Sequence, residues 1–533
     1  MSVLLIAGNP EKFQLEYDQW VSIGHVALSV SPEKKELRVE AQLEIAFDEC
    51  ADTWMEIGKA LAQDPSSLYA HTPSCVANVS DFGLMLAWTK LIDEWSNAAK
   101  VTLVICSDPW MFRHLSARPG VKAMKPPNLF FVELKLMLRG YAARIKAAFS
   151  NARAAVSLRW MRAKARTGCS ALLVYGHPRS DGTGKDGYFG DLMVKADGLY
   201  RVLHVDCPPR RAKELIGDDR TLSLHAWGNP FHALTLPFKH WAPEFQGSDG
   251  SFDWLVRRAK CLEAGSGQGA MIAWQIHCQA RWLESTRPYA VTWPWENHSW
   301  ERAFVRVAGR TGTRTIAYQH SVIGRQMLNY SARSNGDGLS SIPNSILCTG
   351  EATRQQLLGW DIPEERLSIG GAWRFPERAG VAYDPDAPVF MALPFDQQVA
   401  AEMLEAAKGA SAFKFIIKDH PMAPFKFSAQ TNVQPTDIPL TRQPVVSAVV
   451  FAATTVGLEA ILAGLPTLRF RPSNRIALDI LPAGISVPAS DQNSLASALQ
   501  TLSPQEQINR NEIFAKPDIA NWSRALFEET RHP

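Results

Sequence analysis

Two junctions about thirty residues apart constrain this chain most: Lys418-Asp419-His420-Pro421 and Ala453-Thr454-Thr455-Val456-Gly457-Leu458-Glu459-Ala460. Each follows an apolar, strand-like run, Phe413 to Ile417 before the first and Ala448 to Phe451 before the second. The second junction opens an apolar helix that stops at Gly464, and Pro466 to Phe470 reads as another strand. Strand, helix, strand in this order predicts a βαβ unit and hence a parallel sheet. In such sheets ligands sit beyond the carboxyl ends of the strands, and a helix N-terminus there offers free N–H groups to an anion. The region therefore reads as the phosphate-handling half of a nucleotide site.

At 533 residues the chain exceeds one ordinary core, so at least two domains are expected. Apolar residues make up 46% and charged residues 20%, a globular balance, and a net charge of +3 gives no global pull toward nucleic acid. The eight cysteines are scattered without close pairs, which argues against a zinc site or disulfide framework and for a reducing cytoplasm. The opening Met1-Ser2-Val3-Leu4-Leu5-Ile6 looks like a strand and lacks the basic lead of a secretory signal. No apolar run of membrane-spanning length is present.

The charge is uneven. Between Val121 and Arg166 stand eleven Lys or Arg against Glu133 alone, so this segment carries +10 and the remainder −7. Phe130, Phe131, Leu134, Leu138, Tyr141, Phe149 and Val156 are interleaved with the basic residues in a helical pattern. A basic amphipathic helix of this kind suits an anionic membrane surface, and a solvated helical hairpin is the plainer alternative.

Strand and helix patterns alternate along the rest of the chain. Strands are expected at Val101–Cys106, Ala171–Tyr175, Tyr200–Val205, Ala290–Trp293 and Thr315–Tyr318. The breaker-rich stretch Asn335 to Pro343 is the best linker. The expected organisation is an acceptor-side Rossmann-like domain over 1–342, with the basic helical insertion at about 121–167. A donor domain over 343–502 follows, and polar helices over 503–533 pack back on the first domain.

Several side chains at these strand ends suit chemistry. His420 can donate to a phosphate oxygen, and Pro421 ends its strand sharply. Lys418, two residues before it, is grouped with it. Thr454 suits an N-cap, Thr455 adds a second hydroxyl, and Glu459 one turn later suits a ribose diol. Glu296 follows the strand at Ala290, His298 stands two residues on, and His320 ends the strand at Thr315. Glu296 is the first choice for a catalytic carboxylate, with His298 and His320 as neighbours and Asp337 as a further carboxylate in a glycine-rich turn. Capping of the helix that starts near Ser299 is the competing role for Glu296. The loop Asp181 to Asp191 fails as a P-loop, because Asp186 stands where Ser or Thr should meet magnesium, and is read as an acceptor-side or lid loop. Trp293, Trp295 and Trp300 are expected in the core rather than against a sugar.

His420-Pro421, Thr454 to Ala460 and Ala463-Gly464-Leu465-Pro466 together resemble the donor half of GT-B glycosyltransferases. They are most similar to bacterial Kdo and sialic-acid transferases that use CMP-activated sugars and carry an HP motif with a Ser/Thr pair. The stretch from Trp295 to Glu301, through Ala317 to Ser321 and Gly350-Glu351, to Gly370 to Arg374 is similar to proteins of surface-polysaccharide and O-antigen biosynthesis. The resemblance implies two Rossmann-like domains facing across a cleft. It implies that His420, Thr454 and Thr455 grip the CMP phosphate, and that Arg374 belongs to the donor side. It implies transfer of an acidic sugar, Kdo or a related ulosonic acid, to a glycan or lipid-linked glycan of the lipopolysaccharide type. No metal or other cofactor is expected, nor nucleic acid as a partner. The expected location is cytoplasmic, with peripheral contact at the inner membrane face. A threonine pair stands where serine is more usual, and nothing before residue 170 takes part in the resemblance. A UDP-sugar epimerase of the same build, and a non-catalytic scaffold at a membrane, are the alternatives.

Overall fold

The computed structural model describes residues 2–8, 16–24, 35–217, 219–244, 250–375, 380–505 and 508–528. Its described strands form three parallel sheets and one short pair. The first sheet contains β1 (Val3–Ile6), β2 (Gln19–Ile23), β3 (Lys35–Glu36), β4 (Thr102–Cys106) and β5 (Val121–Ala123), in the order β3-β2-β4-β1-β5. The second contains β6 (Ala171–Val174), β7 (Tyr200–Leu203), β8 (Thr221–Ser223), β9 (Ala290–Pro294), β10 (Arg314–Gln319), β11 (Ser345–Cys348) and β12 (Leu367–Ile369), in the order β12-β11-β10-β9-β6-β7-β8. There follow β13 (Ala382–Tyr383), β14 (Val389–Ala392), β15 (Phe415–Lys418), β16 (Val433–Pro435), β17 (Val445–Val446), β18 (Val449–Phe451), β19 (Thr467–Phe470) and β20 (Ala489–Ser490). β13 pairs with β17, and the others form the third sheet in the order β16-β15-β14-β18-β19-β20.

The central strands are apolar on both faces: β4, β6, β9, β14 and β19 are buried along their whole length. Parallel sheets require this, because crossover helices cover both sides. Strand order then fixes where ligands can enter. In the second sheet the chain runs outward one way from β6 and the other way from β9, so the switch point lies between them. In the third sheet it lies between β14 and β18 for the same reason.

Two boundaries differ from the sequence reading. Strands β1 to β5 build a sheet of their own rather than sharing one with β6 to β10. The expected boundary at 342/343 falls inside the second sheet, since β11 pairs with β10 and β12 with β11. The stretch Asn335 to Pro343 forms tight turns there, with Asn335 and Ser341 buried. Its breaker residues make compact turns against the helix Ser299–Thr311 instead of a linker.

The sheets are tied together. Val322 and Ala372, from the loops after β10 and β12, share a core cluster with Phe451, Leu458 and Ile461 of the third sheet and with Ile513 and Phe514. Arg469 on β19 and Arg471 just after it both reach Glu44 on a helix of the first sheet's layer. The segment 508–528 returns to the second sheet: Trp522 donates to Gly370 O at 2.8 Å and packs against Phe189 and Tyr318. Gly371, at φ +80°, lies so close to this segment that a Cβ would come within 2.3 Å of Lys516 O.

Candidate functional site

The second sheet gathers a polar cluster at its switch point. Glu296 follows β9 directly, His320 follows β10, and His177 follows β6. Glu296 carboxylate oxygens lie 3.1 Å from His298 Nε2 and 3.8 Å from His320 Nε2. The backbone that aims them is unusual: Asn297, between Glu296 and His298, has φ +55°. Asparagine tolerates this conformation better than most side chains, and here its amide is fixed by bonds to Asn329 O and Asn335 Oδ1. Glu301, in the first turn of the helix Ser299–Thr311, reaches back to accept from the backbone N–H groups of Glu296 and His298 and from Trp293 Nε1. That reciprocal cap holds the Glu296 turn from below. The capping role considered for Glu296 thus belongs to Glu301, which leaves the Glu296 side chain free for the histidines.

Tyr188 completes the cluster. Its ring stands edge-on to His320 at 5.0 Å and to His177 at 5.3 Å, and the Arg374 guanidinium lies 5.1 Å from its centre. The loop Asp181 to Asp191 delivers it. Buried Arg201 donates to Asp181 O and Lys185 O, while Asp186 accepts from Ser180 Oγ, Tyr188 N and Phe189 N. These bonds clamp the loop. His71, more than two hundred residues from His298 in sequence, stands 5.5 Å from it ring to ring and receives a bond from Gln268.

The electrostatics separate the members. Burial raises the Glu296 carboxyl, but the His298 imidazole 3.1 Å away and the positive fields of His298, His320 and Arg374 outweigh it and bring it to about 2. Burial lowers His298, and the Glu296 and Glu301 carboxylates overcome this and raise it. His320 goes the other way, to about 3, through burial and then the Arg374 charge. Glu301 is pushed up to about 7 by burial, against the pull of His298. Glu296 is the partly open member, with 37% of its side chain accessible against 6% for His320. His320 Nδ1 is buried and has no hydrogen-bond partner, which marks it as a group awaiting one.

The third sheet carries the other predicted residues. Lys418, Ala392 and Phe451 stand in register across β15, β14 and β18. His420 and Ala453, each two residues further on, therefore leave the sheet edge at one level on either side of the β14/β18 switch point. Strand spacing separates the β15 and β18 ends by roughly 10 Å, room for a phosphate between them. The helix Val456–Leu462 begins one residue later than an N-cap at Thr454 requires, so Thr455 occupies the cap position. The Thr454 hydroxyl still accepts from Val456 N at 3.2 Å. Ala453 has φ +46°, a conformation that costs about 1–2 kcal/mol in a non-glycine residue. Gly457 lets the helix lie on the Phe451 ring, where a Cβ would meet it at 2.4 Å. His420 Nδ1 accepts from Met422 N, its ring meets Phe395 edge-on, and burial lowers its pKa. Lys418 pairs with Asp419 at 3.5 Å, and Pro421 is exposed. Glu459 lies on the helix beyond Thr455.

The predicted residues thus fall into two groups and a stray. Glu296, His298 and His320 come together, and Arg374 joins them rather than the third sheet. His420, Thr454, Thr455 and Glu459 share the other sheet's edge. Asp337 joins neither: Arg306 donates to it at 2.7 Å and Ser341 at 2.6 Å, and Arg306 lies two helical turns beyond His298. Trp293, Trp295 and Trp300 are buried in the core. Among the described residues no three His, Cys, Asp or Glu are grouped as for a metal ion. A hollow of about 590 Å³ near Lys125, Phe130 and Arg257 and one of about 460 Å³ near Arg162 and Arg281 touch neither strand-end group.

No protein-family model matches the sequence, and no curated protein does. Solved structures overlap it loosely. One is a Methanocaldococcus jannaschii UDP-GlcNAc 2-epimerase in complex with UDP-GlcNAc and UDP, at 11% identity and TM-score 0.39, over 68% of this chain and 99% of that one. Another is the apo form of the lipopolysaccharide outer core galactosyltransferase WaaB, at 11% and 0.33, over 67% and 99%. A third is the calicheamicin glycosyltransferase CalG4, at 13% and 0.36, over 63% and 90%. Overlaps this loose carry no chemistry to this chain. The parallel-sheet α/β fold follows from the strand orders themselves.

Proposed function

We propose that this protein is a GT-B-type glycosyltransferase that moves an acidic sugar, Kdo or a related ulosonic acid, from its CMP form to a bacterial surface glycan or lipid-linked glycan. We place it on the cytoplasmic side of a membrane with an anionic surface. The observation that carries the reading is the pairing of two switch points. One bears an imidazole and two hydroxyls suited to a phosphate, and the other bears a carboxylate–histidine pair. Val322, in the loop after β10, shares a core cluster with Phe451 of β18.

In this reading the CMP phosphate lies between His420 and the Thr454–Thr455 turn, with Glu459 toward the ribose and Lys418 adding positive charge. Helix N–H groups and hydroxyls stabilise the phosphate as it leaves. The acceptor hydroxyl donates to the unpartnered Nδ1 of His320. As the new glycosidic bond forms and the bond to CMP breaks, the hydroxyl proton passes to His320, and Glu296 holds the resulting imidazolium. Arg374 opposes protonation of His320. A donor carboxylate paired with Arg374 would cancel that charge and raise the basicity of His320. An acidic sugar would thus switch on its own base.

The test is CMP release from CMP-Kdo and from other nucleotide sugars, with and without glycan acceptor, followed by product analysis. Acceptor-dependent CMP release from the acidic donor is expected. Isomerised or free sugar formed without acceptor would instead establish an epimerase-like enzyme, and the absence of both turnover and CMP binding would overturn the proposal.

A further inference from the structure

The long helix Leu129–Leu158 has a buried face and an exposed apolar one. On the first, Leu136, Gly140, Arg144, Asn151 and Leu158 point into the protein. Gly140 is pressed so close to Ala264 O that a Cβ would sit 1.9 Å away. At about 100° per residue, Phe131, Leu138, Phe149 and Val156 fall within roughly 20° of one another on the opposite side. All four are exposed, Phe149 by 67%. Lys135, Lys146 and Arg153 form a second row about 50° around the helix from that stripe. None of these three makes an ion pair with a described residue.

A second element extends this face. The turn His232–Phe238 packs along the helix and exposes Leu234 and Phe238, and Phe231 just before it is exposed by 80%. Arg144 Nε donates to Pro237 O at 2.8 Å and Nη1 to Ala264 O at 2.5 Å, and Tyr141 meets Phe238 ring to ring at 6.3 Å. The two elements are therefore fixed to each other, and the patch is one surface.

We infer that this composite face, the outer stripe of Leu129–Leu158 with Phe231, Leu234 and Phe238, is a docking surface for an anionic lipid bilayer. An apolar stripe beside a basic row on a helix of about 45 Å is the arrangement that sinks into the headgroup region while its cations meet lipid phosphates. The helix lies in the segment carrying +10, whereas the rest of the chain carries −7, so attraction to anionic lipid acts at this face. A second copy is the poorer occupant. An antiparallel isologous pairing would bring the Lys135, Lys146 and Arg153 row against the same row of the other copy. No described helix is long and apolar enough to cross a membrane, so the contact is with its surface. The inference specifies the membrane contact in the proposed function and does not depend on the sugar donor.

The experiment is flotation of the full chain with phosphatidylcholine vesicles, with and without phosphatidylglycerol, at low and high salt. CMP release with a soluble acceptor is measured on the same proteins. The wild type floats with the anionic vesicles and partly detaches at high salt. L138S/F149S, and separately F231S/F238S, lose at least about tenfold in partition at either salt. K135E/K146E/R153E loses binding to anionic vesicles while circular dichroism shows an intact fold. No flotation of the wild type, or flotation that all three variants keep, would overturn the inference. So would light scattering that shows a dimer abolished by L138S/F149S. Retained CMP release by non-floating variants would show docking and transfer to be separable, and lack of CMP release by a floating wild type would count against the transferase reading alone.

Discussion

The two switch points differ in how much of their geometry is finished before any ligand arrives. At the second sheet, Glu296 is pinned by Glu301 from below, paired with His298 and set near His320, whose ring meets Tyr188 from a clamped loop. At the third sheet, His420 and the Thr454–Thr455 turn stand at one level but each is held only by its own neighbourhood: Met422 N for the histidine, Val456 N for the threonine. The first is a pre-organised charge site. The second is a pair of jaws in which the ligand itself would complete the bonding. Binding and chemistry should therefore be separable by mutation, because the residues proposed for each lie on different sheets.

The largest expected break is Glu296→Gln. CMP release with acceptor should fall about a thousandfold, because the His320 imidazolium loses its counter-charge as the proton arrives, while the Kd for CMP stays within a factor of two by calorimetry. Equal losses in both would erase the contrast between the sites. Next comes His420→Ala, which removes one charge-assisted bond. CMP binding should weaken by about 2 kcal/mol, near thirtyfold. The effect should grow as the pH falls, because burial keeps the free imidazole below its usual range and phosphate contact favours its protonation. A smaller loss, about fivefold in CMP affinity, is expected of Thr455→Val, which deletes a neutral hydroxyl and keeps the helix N-terminus.

The smallest effect concerns stability. His298 is raised above its ordinary 6.5, so its charge contributes stability that is full below that value and is lost as pH climbs through the raised one. Glu296 is lowered from 4.5 to about 2, so its contribution is full above 4.5 and is lost as pH falls toward 2. The pair is worth most between 4.5 and 6.5. His298→Asn should flatten the alkaline decline in Tm measured by calorimetry, and an unchanged decline would place the titrating group elsewhere.

Much of the fold was legible because parallel strands announce themselves as short apolar runs between helices. β6, β7, β9, β10, β14, β15 and β18 all fall where such runs stand. Strand-end positions follow from the same pattern, which is why the places of Glu296, His320, His420 and Thr454 just beyond strands were legible in the sequence. What could not be read was pairing across distance. β11 joins β10 because of sheet register, which no local signal encodes, so a breaker-rich stretch looked like a linker. His71 and Tyr188 reach the Glu296 cluster through tertiary contacts. The only trace of Tyr188 in the sequence was its place in a glycine-rich loop after a strand. Asp337 looked like a spare carboxylate because nothing local revealed that Arg306 and Ser341 would occupy it. Arg374 was grouped with the donor residues by resemblance, and it stands over Tyr188 at the other switch point.

A crystal structure with a CMP-linked acidic sugar tests the central claim most directly. The account predicts the phosphate between the His420 ring and the Thr455 turn, with the anomeric carbon facing Glu296 and His320 and the sugar carboxylate on Arg374. A nucleotide seated away from the β14/β18 edge, or a sugar directed away from Glu296, would contradict it.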